Sequence, residues 1–369
     1  LALVYDNPGF ATDWGVNAEM RYRDMEYSSG NGFFEGLPTL TLNRMDSAER
    51  RRNADIGATY RGFRQHSLRF GAGYQEQDLY EFRQYLDGVP RPLVAPQKRH
   101  TRYIYLQDVW QIDADWELTA GVRHDRYSDF GGTTNPRLAL VWQASERLTA
   151  KLMYGEAFRA PSYLELYLTT TANPPNPALK PETSKTLEAS LSWLATRDVR
   201  LGINVYDFRR KDVIAPAAVA PYQFQNFPEF NTQGVELEGQ WQVSPHLRLA
   251  GNYARMWNGA VDDPLRDLAI PLQQAYVRLD WQFRPKWHWN LQLHWFDQRP
   301  LVTGDPRREI GDTTLVGTTV RYFHGSEWEF AASIRNLTDT EAYDYSSRSL
   351  WYNLPLPGRE VWAEARYKF

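Results

Sequence analysis

Seventeen short strand-like segments run through this chain, and the connections between them alternate short and long from one end to the other. The short links fall at residues 7–13, 63–67, 112–116, 143–147, 194–198, 243–246, 283–287 and 323–327. The long ones fall at 27–52, 80–101, 127–135, 157–183, 212–231, 258–271, 297–312 and 339–358. A soluble sandwich has no need of that asymmetry. A transmembrane β-barrel shows it, with tight turns at the periplasmic rim and long loops facing outside. The alternation therefore predicts both a membrane setting and an orientation.

At 369 residues the chain could hold two ordinary soluble domains or one large barrel. Its mean hydropathy of −0.60 and the lack of any 18-residue apolar run exclude a membrane-spanning helix. Neither fact excludes a barrel, whose strands carry polar residues at every second position. There is no cysteine, which excludes disulfides, thiolate metal sites and a cysteine nucleophile. A net charge of −3 supplies no global basic field to recruit nucleic acid.

Aromatic residues make up 14% of the chain, with 14 Trp and 22 Tyr, more than a packed core needs. These two residue types favour membrane interfaces, although an aromatic-rich soluble lectin remains open on composition alone. Only seven of the 42 basic residues are lysine. The planar guanidinium suits paired charges in a confined lumen and the recognition of anions.

Period-2 alternation separates strand from helix. Leu187, Ala189, Leu191 and Trp193 alternate with Thr186, Glu188, Ser190 and Ser192, and Val235 to Val243 repeats the pattern against Glu236, Glu238, Gln240 and Gln242. Trp287 to Trp295 and Trp328 to Ile334 do the same. The polar faces carry too many charges for the wall of a dry core and suit a wet or plugged lumen. From the turn at 194–198, Val199, Leu201, Ile203 and Val205 hold the apolar register until Asp207 breaks it. From 243–246, Leu247, Leu249, Gly251 and Tyr253 hold it until Arg255. Both breaks fall near the expected outer edge of a bilayer.

The last segment alternates Val361, Ala363, Ala365, Tyr367 and Phe369 with polar residues. Ending on an aromatic, it resembles the insertion signal that bacterial outer-membrane barrels present to their assembly machinery, with Phe369 as the contact. At the other end Leu1 stands within a strand pattern, and the chain reads as a fragment of something longer.

Residues 155–167 read GEAFRAPSYLELY, and 176–184 read NPALKPETS. Together they resemble the FRAP-type and NPxLKPE-type segments of TonB-dependent outer-membrane receptors. NTQGVELE at 231–238, IRNLTD at 334–339 and PGR at 357–359 follow in the family's order. The resemblance covers residues 135–369, while the first 130 fit by pattern alone. It implies an all-β fold, a transmembrane antiparallel barrel of the 22-stranded type. Some 16–17 of those strands lie in residues 1–369, the C-terminal part of the barrel domain, and the N-terminal plug is not in this chain. It also implies a non-enzymatic receptor of the Gram-negative outer membrane that takes up a metal chelate, a ferric siderophore above others. Energy would come from the TonB complex through the upstream region, and the outer wall would meet lipid and lipopolysaccharide. Cobalamin or haem are the alternative ligands within the family.

A passive porin is the alternative from another class, because about sixteen strands suffice for one. A hydrolase is the weakest reading, since no GxSxG elbow, HExxH, phosphate loop or GxGxxG is present. Haem receptors of the family usually carry a His between the FRAP and NPxL segments, and residues 162–175 contain none. Candidate ligand contacts are aromatic and Arg residues of the long loops: Arg83, Tyr85, Arg159, Tyr163, Tyr167, Tyr222, Phe224, Phe227, Arg299, Trp351 and Tyr352. Aromatics offer large semi-rigid surfaces, and arginines suit a net-negative ferric complex. Packing of loop on loop, or contact with lipopolysaccharide, would use the same residue types. His288 and His294 share a strand face six residues apart, too far for a compact metal clip.

Overall fold

The structure is a computed structural model that describes residues 1–29, 32–33, 42–86, 88–170, 172–217, 220–258, 270–297, 299, 307, 310–344 and 352–369. Its contacts divide the chain into two units. The first comprises Leu1–Val141, Met153–Thr186 and Arg209–Glu229; the second comprises Trp142–Leu152, Leu187–Phe208 and Phe230–Phe369.

The first unit opens with a hairpin of β1 (Ala2–Ala11) and β2 (Trp14–Ser28). A short β3 (Gly32–Phe33) edges β4 (Leu42–Tyr60), which pairs with both β2 and β5 (His66–Leu86). β6 (Val89–Pro92) folds back on the tip of β5, whose body pairs with β7 (Gln97–Gln111). β8 (Trp116–Tyr127) follows antiparallel to β7. Next come β9 (Gly131–Ser145), β10 (Leu148–Arg159), the one-turn α1 (Tyr163–Tyr167), β11 (Glu182–Leu194) and β12 (Val199–Lys211), which the boundary between units crosses. β13 (Val213–Pro216) and β14 (Phe224–Phe227) make a separate hairpin.

In the second unit β15 (Phe230–Ser244), β16 (Leu247–Asn258), β17 (Gln273–Arg284), β18 (Trp287–Phe296), β19 (Thr313–His324) and β20 (Trp328–Arg335) form a continuous antiparallel meander. β21 (Tyr343–Asp344) pairs with β22 (Leu354–Pro355), and β23 (Glu360–Tyr367) closes the chain against β20.

Seventeen of these strands are eight residues or longer, as the sequence pattern requires. Six of the observed short turns coincide with the expected short links to within two residues; the links expected at 7–13 and 143–147 contract to residues 12–13 and 146–147, because β1 and β9 run on into them. Three long links differ. The expected loop at 127–135 contracts to the three residues between Tyr127 and Gly131, where Gly131 adopts φ +97°. The Gly-Gly-Thr-Thr run that reads as loop is the start of β9 instead. The links at 27–52 and 80–101 are largely strand, because β4 and β5 run 19 and 21 residues. Their upper halves lack apolar alternation, yet the ladder persists on cross-strand polar pairs: Arg50 to Asp24 (3.3 Å), Arg52 to Glu76 (2.5 Å) and Gln77 to Glu49 (2.8 Å). Such pairs replace apolar contact once a strand leaves hydrocarbon.

The two faces are sorted as the alternation demands. Leu187, Leu191, Trp193, Leu201, Ile203, Val205, Leu237 and Trp241 are all exposed. Aromatics gather beside the short turns. Trp14, Tyr60, Phe63 and Phe70 interlock in the first unit; Trp281, Phe283, Trp287 and Tyr322, and separately Trp328, Tyr367 and Phe369, do so in the second. Within each unit such clusters beside the short turns match the aromatic girdle of outer-membrane strands. The opposite face is polar: Tyr103 lies flat over Gly73, donates to Asp55 (2.8 Å), and carries the Arg123 guanidinium 3.7 Å from its ring. A Cβ at Gly73 would collide with that ring, so glycine is required by close approach.

Placing arginine at Ile203, midway along the exposed apolar register, should cost about 2–4 kcal/mol of folding free energy in a bilayer. Arginine at Asn204, on the other face and within reach of Glu236 (3.4 Å), should cost little. Urea titration of the full-length protein in lipid vesicles measures both; equal costs would refute the assignment of faces.

Candidate functional site: the loop base above the strands

β10 ends on Arg159, whose guanidinium is shared between two carboxylates. Nε and Nη2 donate to Glu182 (3.0 and 2.7 Å), while Nη1 and Nη2 donate to Glu165 (each 2.9 Å). Such forked contacts are the strong form of the ion pair. Glu165 also completes a capping box with Ser162 at the start of α1, and Glu182 accepts the Ile214 backbone N–H at 2.6 Å. One side chain thus ties together β10, α1, β11 and β13.

Glu182 lies five residues above Leu187, beyond the apolar band. Its burial opposes ionisation, but bonds from Arg159 and the Ile214 N–H outweigh it and hold the carboxyl below the usual range. The same two glutamates keep Arg159 firmly protonated.

Two packed clusters flank this clasp. Tyr163 is buried with Leu79 and Val94, with Phe82 and Tyr167 against them, and its hydroxyl donates to the Gln77 carbonyl at 3.0 Å. Burial raises the Tyr163 phenol's pKa, and nearby Arg99 only partly offsets it, so the phenol stays a donor. Arg99, 6% exposed, lies among the rings of Tyr127, Phe130 and Tyr163 and donates to Asp129 (2.7 Å) and the Pro161 carbonyl (2.9 Å). The second cluster joins Leu166, Leu179 and Ile214, with Tyr167 and Phe224 against it. Asn176 donates to the Phe224 carbonyl (2.8 Å), and Asn226 bridges the Lys180 and Asp212 carbonyls (2.9 and 2.7 Å). The NPALKPE segment is therefore laced to the β13–β14 hairpin.

The structure brings Arg159, Tyr163, Tyr167 and Phe224 into this base, with Phe227 half-buried on β14 facing Val213 across the hairpin. Tyr222 is exposed, and its backbone N–H donates to the Ala172 carbonyl (2.8 Å). On β5, Arg83 is exposed beside Glu81 (3.6 Å), and Tyr85 carries the Arg44 guanidinium 4.5 Å from its ring. In the second unit Arg299 is buried, donating to Asp344 (2.5 Å) and to the Tyr343 carbonyl, while Tyr352 is exposed. Trp351 lies outside the described residues. Arg99, Glu165 and Glu182 were not singled out from sequence. The Ser162-x-x-Glu165 spacing is a capping-box signal that could have found α1; nothing local marks Arg99.

Beneath the base, the polar face of the first unit frames a hollow of about 560 Å³ lined by Arg21, Asp55, Arg69, Arg123, Arg137 and Glu156 among others. Apolar side chains on one face, charges on the other and pinned loops above define a transmembrane antiparallel barrel wall. Residues 1–337 match the family described as "TonB dependent receptor-like, beta-barrel". The chain belongs to that family, which is one of the Gram-negative outer membrane. It is 23% identical over 389 residues to the metal-pseudopaline receptor CntO of Pseudomonas aeruginosa, covering 94% of this chain and 52% of CntO. It is 33% identical over 293 residues to the vitamin B12 transporter BtuB of Photobacterium profundum, covering 74% of this chain and 44% of BtuB. The chain thus spans about half the length of these relatives. Its fold matches the ferric enterobactin receptor PfeA of Pseudomonas aeruginosa with TM-score 0.77 at 17% identity, over 100% of this chain and 61% of PfeA. The copper transporter OprC matches with TM-score 0.76 at 16% identity, over 100% and 64%. These relatives are receptors and transporters, not enzymes.

Replacing Glu182 by Ala should leave Arg159 on Glu165 alone and strip the Ile214 N–H of its acceptor, and hydrogen exchange of 160–181 and 212–217 should quicken by an amount corresponding to about 2 kcal/mol. In the wild-type protein the protection is complete above an unfolded glutamate's pKa of about 4.3 and fades as pH falls through the lower folded value. Exchange that does not change across that window would show that the clasp does not hold the loops.

Proposed function

We propose that this chain is barrel wall of an outer-membrane receptor for energy-coupled uptake of a metal chelate, with a ferric siderophore as cargo. Residues 1–369 are the C-terminal part of its barrel domain, working with a plug and the TonB complex supplied by the rest of the protein. The observation that carries the reading is the Arg159–Glu165–Glu182 clasp. It sits in the two segments that resemble the family's motifs and holds a rigid base beneath exposed Tyr222. A scarce ligand bound tightly needs surfaces whose ordering cost has already been met by folding. Arg83, Tyr85, Tyr222, Phe224, Phe227, Arg299, Trp351 and Tyr352 remain the proposed contacts. Arg159, Tyr163 and Tyr167 act by placing the loops that bear such contacts.

A second reading is favoured by the 33% identity to a vitamin B12 transporter: the cargo is a corrinoid. Haem is disfavoured by the absence of a histidine from 162–175. Titrating the detergent-solubilised full-length protein with ferric catecholate, ferric hydroxamate, cyanocobalamin and haem, read by tryptophan fluorescence, separates these. One ferric siderophore should saturate with Kd about 1 µM or tighter, some −8 kcal/mol. Saturation by cyanocobalamin alone selects the second reading. Binding of no chelate, with steady ungated conductance in planar bilayers, would make it a porin and overturn both.

A further inference from the structure

On β7 and β8 the exposed apolar face ends abruptly. Ile104, Leu106 and Val122 are exposed on it, and continuing two and four residues up the strands places Arg102, His124 and Arg126 on the same face, all exposed. Arg102 and Arg126 are direct cross-strand partners. Like charges directly opposite one another destabilise a sheet pair. Among the described residues no carboxylate is paired with either. Glu76, the acidic group at this level of the face, is taken by Arg52 (2.5 Å), Lys98 (3.5 Å) and His100 (3.5 Å). His100 also pairs with the Tyr74 hydroxyl (2.6 Å), and His124 is bonded to Thr134 (2.8 Å). Asp125 lies on the polar face and is held by Arg123 (2.7 Å). Glu76 and Asp78, which faces Lys98 across the strands, thus lie on the side of Arg52 and Lys98. Arg102 and Arg126 have no carboxylate contact among the described residues, on a surface that also belongs to the apolar wall.

Directly below is a shallow groove of about 700 Å³ whose floor includes Leu3, Met20, Ile56 and Ile104, with Arg102, His124 and Arg126 also lining it. Its depth in the membrane follows from the strand. Trp110, at the aromatic girdle, is eight residues below Arg102, about 26 Å along a strand at ~3.3 Å per residue. At a tilt of about 40° that is roughly 20 Å along the membrane normal, close to the height of the apolar band. The guanidiniums thus stand at headgroup level in the leaflet opposite the short turns.

We infer that Arg102 and Arg126 form a docking site for the phosphate of a lipid in the outer leaflet, with its acyl chain in the groove beneath. A phosphate between the two guanidiniums turns a repulsive cross-strand pair into two charge-assisted contacts. His124 adds a polar partner and Lys98 adds charge above. A free anion would gain the same charges but leave the groove open, so the paired apolar and cationic surface fits an amphiphile. The inference rests on the membrane-wall reading but on none of the proposed cargo.

The test uses full-length protein extracted in a phosphate-free detergent, comparing wild type with Arg102→Gln/Arg126→Gln and with Arg64→Ala in the turn at the opposite rim. Folding of each is checked by heat-modifiable gel mobility, and bound lipid is counted by native mass spectrometry and phosphate assay. Wild type and the Arg64 variant should retain phosphorylated lipid, and the double variant should lose it at least tenfold. Equal retention by the double variant would overturn the site, as would equal retention of an added phosphate-free glycolipid. Displacement of the lipid by micromolar inorganic phosphate would likewise overturn it in favour of a free-anion site. Wild type that stays in solution without detergent would instead remove the membrane reading itself.

Discussion

A peptide group in hydrocarbon has no water to bond with, so each N–H and C=O must be paired within the protein. With no long apolar helix among the described residues, an antiparallel sheet of long, sequence-adjacent strands meets that demand. The rest follows from it. Period-2 geometry sends alternate side chains to lipid and to the lumen, so each strand must be apolar on one side only. Turns at one rim can be minimal, and all freedom to elaborate goes to the other. The exposed leucines and tryptophans, which would be a liability on a soluble domain, are then the part of the surface in its proper solvent.

That constraint explains which features could be read from the residues alone. Turn positions and strand number were legible, because leaving hydrocarbon at the short-turn rim forces polar residues and a reversal within a few positions. The upper ends of β4 and β5 were not. There both faces meet water, and Arg50, Arg52, Glu49 and Glu76 pair across strands with no hydrophobic period to betray them. The contracted turn before Gly131 failed for a related reason: small polar residues fit a loop and an exposed strand equally well. The clasp was visible only as a string of motif residues. Arg159 is a plausible ligand contact by type, yet its carboxylate partners Glu165 and Glu182 are 6 and 23 positions away, and only the fold brings both to one guanidinium.

The loop base also shows how a large loop is made rigid with little core. Between β10 and β11 the chain has one helical turn and almost no regular pairing. Order comes from two small apolar clusters with charged groups at their edges. Ion pairs of this kind add modest net stability, because desolvation takes back much of the attraction. Their value lies in the geometry they select. A guanidinium that must satisfy two carboxylates in fixed planes admits few arrangements of the strands and helix that carry them. A binding surface built on such a base can change its exposed residues without moving its foundations.

Arginine does three different jobs along this wall, and the environment decides which. Arg123, on the polar face, stacks on Tyr103 and neutralises Asp125, which is 2% exposed. Arg159, above the membrane, is saturated by glutamates and becomes a structural pin. Arg102 and Arg126 face outward at the end of the apolar band, with no acid paired to them among the described residues. Lysine could stand in at none of these equally, since stacking, bidentate bonding and weak hydration belong to the guanidinium. The skew of the composition toward arginine therefore has a physical source. A strand that passes from a charged lumen wall to a headgroup layer within about 20 Å needs a cation that tolerates partial desolvation at every stop.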